Sequence, residues 1–272
     1  MKHQNLHTHT TYVDGYVTAE EMVLSAIEKG GDSVGISEHA YVPFDPKYSL
    51  KLDDIPRYIS EVNALKKKYE GKIEIFLGIE ADYFTLAESI PDGLDYIIGA
   101  VHHIQHGDEF LTVDAYAEDL LRFAELYFGG DFNALAERYF ETVSDIMNKT
   151  NADIIGHFDL LTKFNLNGGL FDDTHPRYIS AAIDSMKELL KKNTLFEINT
   201  GAMFRVGKTE PYPSPYLLRE LCERGGEVIL SSDSHKPESM YYKFEEMREL
   251  VKACGFKYIK RLTKDGFADV KL

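Results

Sequence analysis

The chain has 272 residues and carries 30 Lys and Arg against 45 Asp and Glu, a formal charge of −15 at pH 7. That length suits one large α/β domain or two small ones, and 44% hydrophobic with 12% aromatic residues supply a core that a disordered chain lacks. The acidic balance argues against a protein that grips a nucleic-acid backbone through a broad basic face.

In chain order, short apolar runs alternate with helical patterns. The first run, residues 4–8, is followed by Thr18-Ala19-Glu20-Glu21, a capping-box pattern opening a helix. Met22, Val23, Ala26 and Ile27 fall on one side of that helix, and Gly30-Gly31 stops it. Further runs at 33–37, 73–79, 96–101, 153–156, 195–199 and 227–231 are short and mostly rich in Ile, Val or Leu without strict alternation. Such runs suit strands buried on both faces. Helices are expected at 55–69, 113–127, 132–150, 177–192, 214–224 and 238–254, with a last short strand at 257–262.

Strand–helix alternation repeated this often predicts a parallel α/β fold, taken as one domain over residues 1–272 because no Gly-, Ser- or Pro-rich linker, repeat or low-complexity segment interrupts it. The pattern alone leaves a doubly wound sheet and a closed barrel open. The dinucleotide fingerprint is missing after the first strand, and there is no P-loop. No apolar run approaches the roughly 20 residues of a membrane helix. The opening Met1-Lys2-His3-Gln4 lacks the apolar stretch of a secretory leader, so the expected location is the cytoplasm and no membrane partner is expected. Cys222 and Cys254 are too few for a disulfide framework or a zinc ribbon and read as small buried hydrophobes.

The ten histidines favour the barrel. The first strand ends in His7-Thr8-His9 with Asp14 beyond, the second in Glu38-His39, and the third in Glu80 with Asp82 close by. The fourth ends in His102-His103, the fifth in Gly156-His157 with Asp159 following, and the seventh in Asp233-Ser234-His235. Parallel barrel strands deliver their C-terminal ends to one mouth, where such residues converge. The period of two puts His7 with His9, and Asp233 with His235, on one face. His102 and His103 are neighbours and should point to opposite faces, so at most one is a ligand. Imidazoles and carboxylates suit zinc, manganese or iron, and the absence of Cys points to a hydrolytic rather than a structural site. His3, His106 and His175 lie before a strand or in polar loops and read as ordinary polar residues.

The series His7/His9, Glu38-His39, Gly78-Ile79-Glu80, Val101-His102, Gly156-His157 and Asp233-Ser234-His235 resembles the polymerase-and-histidinol-phosphatase (PHP) superfamily, over essentially the whole chain. Phe196-Glu-Ile-Asn-Thr200, with Arg205 and Pro211-Tyr-Pro-Ser214, is similar to its histidinol-phosphate phosphatase branch. The resemblance implies a distorted (β/α)7 TIM-like barrel with three divalent metal ions (Zn, Mn or Fe) at the C-terminal mouth. It assigns one metal to His7, His9, Glu80 and Asp233, a second to Glu80, His102 and His157, and a third to Asp14, His39 and His235. His102 is preferred to His103 because the following position varies among relatives. Lys163 stands where many of the branch have Arg, and a lysine offers a point charge rather than a fork.

The expected reaction is hydrolysis of L-histidinol phosphate, with Glu80, Asp233 and His235 in catalytic roles. A water shared by metals has its pKa lowered from about 16 toward 7 and supplies hydroxide at neutral pH. A metal-bound water, Asp233 or a ligand histidine such as His235 gives the leaving alkoxide its proton. Arg205 is the first candidate cation for the phosphate, ahead of Lys163 and Lys208. Asp108, Glu109 and Asp114 are candidates for the substrate's ammonium and imidazole. Three divalent ions carry about +6 against the −3 of Asp14, Glu80 and Asp233, so an acidic chain can hold a locally positive pocket suited to a small phosphate ester. The rival readings are another PHP phosphoesterase, acting on phosphotyrosine, nucleotides or cyclic diesters, an amide-cleaving metal barrel, and a non-catalytic metal-stabilised domain. The amide-cleaving barrel usually has a bridging Lys, which no strand end here supplies. Oligomeric state is not legible.

Overall fold

The computed structural model of the chain describes residues 3–272; Met1 and Lys2, on which the expectation about a leader partly rests, lie outside the described residues. In chain order the elements are β1 (Gln4–Asn5), α1 (Ala19–Glu28), β2 (Ser33–Ile36), α2 (Ile55–Lys68), β3 (Glu74–Asp82), β4 (Tyr96–Ala100), β5 (His103–His106) and β6 (Glu109–Thr112). They continue as α3 (Ala117–Phe128), α4 (Phe132–Thr150), β7 (Ile154–Ile155), α5 (Pro176–Leu190), β8 (Leu195–Asn199), α6 (Gly201–Arg205) and α7 (Pro215–Glu223). β9 (Glu227–Ser231), α8 (Phe244–Ala253), β10 (Tyr258–Thr263) and β11 (Gly266–Lys271) complete the chain.

Strands β1, β2, β3, β4, β7, β8 and β9 lie in that order in one parallel sheet. Its two outer strands meet just beyond their ends. Thr8 and Ser234 form a parallel bridge; His9 N–H donates to Ser234 O and Ser234 N–H to His7 O, both at 2.9 Å. The sheet therefore curls into a nearly closed seven-stranded barrel with helices outside, the TIM-like architecture expected from the sequence.

The buried runs explain why. Leu6, Phe76, Tyr96, Ile98, Ile154, Leu195 and Ile229 fill the interior, joined by Leu262 and Phe267 of the β10–β11 hairpin. Gln4 fixes that hairpin at the strands' N-terminal ends, its Nε2 donating to Leu262 O at 2.9 Å and its Oε1 accepting from Leu262 N–H at 2.8 Å. One mouth is thus plugged with apolar side chains, and the other is left for polar ones. Tyr96 needs unusual room: a Cβ on Gly35 would lie 2.1 Å from its hydroxyl, and one on Gly78 2.2 Å from its Cζ. On the outside, α1 begins with the predicted capping box, Glu21 N–H donating to Thr18 Oγ1 at 3.3 Å and Thr18 N–H to Glu21 Oε2 at 2.8 Å.

Several boundaries differ from the expected ones. The helix predicted from 113 begins at Ala117, because residues 103–112 form the antiparallel β5–β6 hairpin and Val113 N–H still donates to His102 O. The helix predicted from 238 begins at Phe244, because Tyr241 and Lys243 take left-handed conformations, φ 61° and 56°. The predicted last strand has a partner, β11, across the Lys264-Asp265 turn. Among the described residues no helix is long and apolar enough to cross a membrane. Cys222 and Cys254 are unpaired, and Cys254 is buried.

Candidate metal centre

The open mouth is built where each strand stops. β3 runs to Asp82, carrying Glu80 into the middle of the mouth, fully buried. Five imidazoles from four other strand ends face its carboxylate. His7 Nε2 and His39 Nδ1 approach Oε2 at 3.2 and 2.8 Å, and His157 Nε2 and His102 Nε2 approach Oε1 at 2.9 and 3.4 Å. His9 Nε2 stands between Glu80 Oε2 at 3.4 Å and Asp233 Oδ1 at 3.3 Å. Asp14 closes the other side, with His235 Nε2 3.1 Å and His39 Nε2 3.8 Å from its Oδ2.

All nine sequence-predicted ligands are thus brought together. Ligand atoms lie within 4.8 Å of one another in four groups: His9/Asp14/His39/His235, His7/His9/Asp233, His7/Glu80/His157 and His39/Glu80/His102. The donor set fits cations rather than internal hydrogen bonding. His7 Nε2, both ring nitrogens of His9, Asp14 Oδ1 and Glu80 Oε2 are buried without a hydrogen-bond partner. Such orphaned atoms are costly unless something charged takes their lone pairs. Burial and the neighbouring His39 and His235 push His9 down to about 3, so it is a neutral imidazole with a lone pair to give. Against the cost of burial, His7, His39 and His102 hold Glu80 well below the usual carboxylate range. Asp233 sits at φ 44°, left-handed backbone that a non-glycine residue adopts mainly where its surroundings impose it.

Around this centre opens a cavity of about 1020 Å³. Arg205, at the end of α6, enters it and is held by Asp233: Nη2 donates to Oδ2 at 2.7 Å and Nη1 to the backbone carbonyl at 2.9 Å. Lys163 also lines it, but its Nζ donates to Asp114 Oδ2 at 3.0 Å and to Asp114 O at 2.7 Å. Lys208 is buried off the cavity with its Nζ 5.1 Å from the centre of the Tyr212 ring. Of the three acids expected to meet the substrate's cationic groups, only Asp114 lines the cavity; Asp108 and Glu109 are exposed at the β5–β6 turn, because the paired strands carry that turn out to solvent.

The residue that sequence reasoning passed over is Asp45, on the loop after β2. Its Oδ2 lies 3.4 Å from His103 Nε2, and His103 Nδ1 is 3.5 Å from Asp82 Oδ2. Burial opposes a charge on His103, but Asp45 and Asp82 outweigh it and raise the imidazole to about 9. Phe44 stacks on Phe110 with centroids 3.8 Å apart, and its edge meets the His103 ring at 5.0 Å. The cavity therefore has a metal-competent floor and is lined by a guanidinium, by acids and by aromatic rings.

The PHP domain family model matches residues 5–201. The chain belongs to the PHP domain family. The match covers the PHP ligand motifs from His7 to His157, while Asp233 and His235 lie beyond it and are placed by the barrel itself. Among curated proteins, a probable histidinol-phosphatase of Deinococcus radiodurans is 29% identical over 246 residues, covering 88% of each chain. The histidinol-phosphatase of Bacillus subtilis is 25% identical over 272 residues, covering 92% of this chain and 99% of the relative. Among solved structures, a histidinol phosphate phosphatase from Lactococcus lactis, crystallised with zinc, L-histidinol and phosphate, superposes with a TM-score of 0.71. It is 20% identical, with 98% of this chain and 99% of that one covered, and shows the same PHP barrel.

Proposed function

We propose that this PHP protein is a metal-dependent phosphomonoesterase that hydrolyses L-histidinol phosphate to L-histidinol and phosphate. The observation that carries the proposal is Glu80, one buried carboxylate met by five imidazoles beneath a cavity of about 1020 Å³. The names of the Deinococcus and Bacillus relatives, which align over most of both chains, support the same substrate. Zinc, bound by the Lactococcus neighbour, heads the candidate metals, with manganese and iron after it.

Three divalent ions would be held here, by His7, His9 and Asp233 with Glu80, by Glu80, His102 and His157, and by Asp14, His39 and His235. When bound, such ions lower the pKa of water toward 7 and offset negative charge on phosphoryl oxygens. The rest falls to side chains. Arg205 sits at the cavity edge beside the Asp233 and His235 ligands, where its fork can turn from Asp233 to two phosphoryl oxygens. Asp45, beside His103, and Asp114, beside Lys163, line the part of the cavity that would receive the ammonium and imidazole of the substrate. Phe44 and Phe110, stacked on one another, add apolar surface to that wall.

A cavity of this size holds a small ester, and the acidic surroundings disfavour polyanions such as DNA. A biosynthetic phosphatase with two unpaired cysteines is suited to the reducing cytoplasm. The test is phosphate release from a panel of monoesters and diesters by protein whose metals have been quantified. Turnover of histidinol phosphate above other monoesters, with diesters inert, is expected. Equal turnover across the monoesters would overturn the substrate assignment, and full activity with fewer than two metals per chain would overturn the metal centre.

A further inference from the structure

Glu197 stands in the middle of β8, one residue pair below the mouth, and is fully buried. It was legible in the sequence only as part of a motif. Its carboxylate collects donors from three other strands. Both oxygens face His7 Nδ1, Oε2 at 2.9 Å and Oε1 at 3.2 Å, and Oε2 accepts from the Ser231 hydroxyl at 2.5 Å. Oε1 accepts from His157 N–H at 2.7 Å and from Asn199 Nδ2 at 2.7 Å. His7 turns its other nitrogen, Nε2, toward Glu80 and Asp233, where it has no hydrogen-bond partner.

We propose that Glu197 is the positioning residue of the centre: it holds the proton of His7 on Nδ1 and so leaves Nε2 with the lone pair that a metal requires. The inference rests on the proposed metal centre. An ionised carboxylate can only accept, so the imidazole nitrogen facing it must be the protonated one. Imidazole ligands are commonly oriented in this way by a carboxylate on the far nitrogen.

The surroundings make the role sharply testable, because they dictate which way an amide would sit. The His157 donor on the Oε1 side is a backbone N–H and cannot become an acceptor. The Asn199 donor is fixed as well, since its Oδ1 accepts from Gly201 N–H at 2.7 Å and the side chain cannot flip without losing that bond. In Glu197→Gln the amide oxygen must therefore take the Oε1 side, the farther from His7 Nδ1, and the NH2 the Oε2 side, the nearer to it. The imidazole would then accept at Nδ1 and carry its proton on Nε2, blocking the metal. An isosteric change with no change of volume would invert one tautomer.

Two measurements decide it: zinc affinity of wild type and E197Q by competition with a chromophoric chelator, and 15N NMR of the His7 ring in zinc-loaded protein. Wild type should show His7 protonated at Nδ1, and E197Q should bind the most weakly held or lost zinc about 10- to 100-fold less tightly. A wild-type His7 protonated at Nε2 would overturn the proposal even if E197Q fails to fold, which circular dichroism would reveal. Unchanged zinc affinity in a folded E197Q would overturn it too. Wild type that binds no zinc, manganese or iron would instead defeat the metal centre on which the inference rests.

Discussion

Arg205 closes on Asp233 with both arms of its guanidinium, Nη2 on the carboxylate at 2.7 Å and Nη1 on the backbone carbonyl at 2.9 Å. The same Nη1 lies 2.9 Å from His235 Nδ1, so one cation touches two residues of the metal-competent floor while its edge remains open to the cavity. This pairing holds a positive group at the cavity edge, within a side-chain rotation of where a transferring phosphoryl group would sit. It also means that the group is positioned before substrate arrives, which lowers the ordering cost of binding.

Arg205→Ala should therefore depress kcat/KM on the phosphate ester by about 10²- to 10³-fold, the usual effect of removing one donor from transition-state charge. Metal content, measured by mass spectrometry on the same sample, should be unchanged, because the Thr8–Ser234 bridge keeps Asp233 and His235 in place just beyond β9. Full activity in the variant would remove Arg205 from the site.

Stripping the metals should destabilise the fold as well as silence it. The orphaned imidazoles and carboxylates of the floor bind cations only in the native arrangement, and a ligand at a thousandfold its dissociation constant stabilises by about 4 kcal/mol. Dialysis against a chelator should lower the melting temperature, and added zinc or manganese should restore it. A melting curve that does not move after verified metal removal would contradict this.

The acidic and aromatic wall makes a different kind of prediction, one about selectivity. Asp45→Asn should raise KM for a phosphate ester bearing a cationic group by about tenfold and leave KM for an uncharged aryl phosphate unchanged. A parallel rise for both esters would show that Asp45 supports the loop rather than the substrate.

In the barrel itself, Gly78→Ala forces a methyl to within 2.2 Å of the Tyr96 ring, which is buried and cannot swing aside. Overpacking of this kind costs about 1–3 kcal/mol. Urea denaturation should show it as a lower midpoint with an unchanged slope.

The sequence made the floor legible because of strand periodicity. His7 with His9, and Asp233 with His235, share a face by spacing alone, and the parallel fold brings such strand ends to one mouth. Glu197 was not legible as a functional group because it is not at a strand end. Its role exists only through His7, His157 and Ser231, which come from three other strands. Asp45 escaped for a related reason: an acid in a loop looks solvated until His103 is seen against it. The β5–β6 hairpin did leave a signal, since Gly107-Asp108 between His106 and Glu109 is a two-residue hairpin turn. A search for parallel strands reads that segment as polar loop, and Asp108 and Glu109 were assigned to the substrate on that basis.

The central claim, that this PHP barrel is shaped for histidinol phosphate, meets its most direct test in one ratio. It is kcat/KM for L-histidinol phosphate divided by kcat/KM for a phosphate monoester lacking the amine and imidazole, on fully metallated protein. A ratio of about a hundred or more is predicted, because polar groups left without the partners they are placed to meet reject the lesser substrate strongly. A ratio near one would contradict the account.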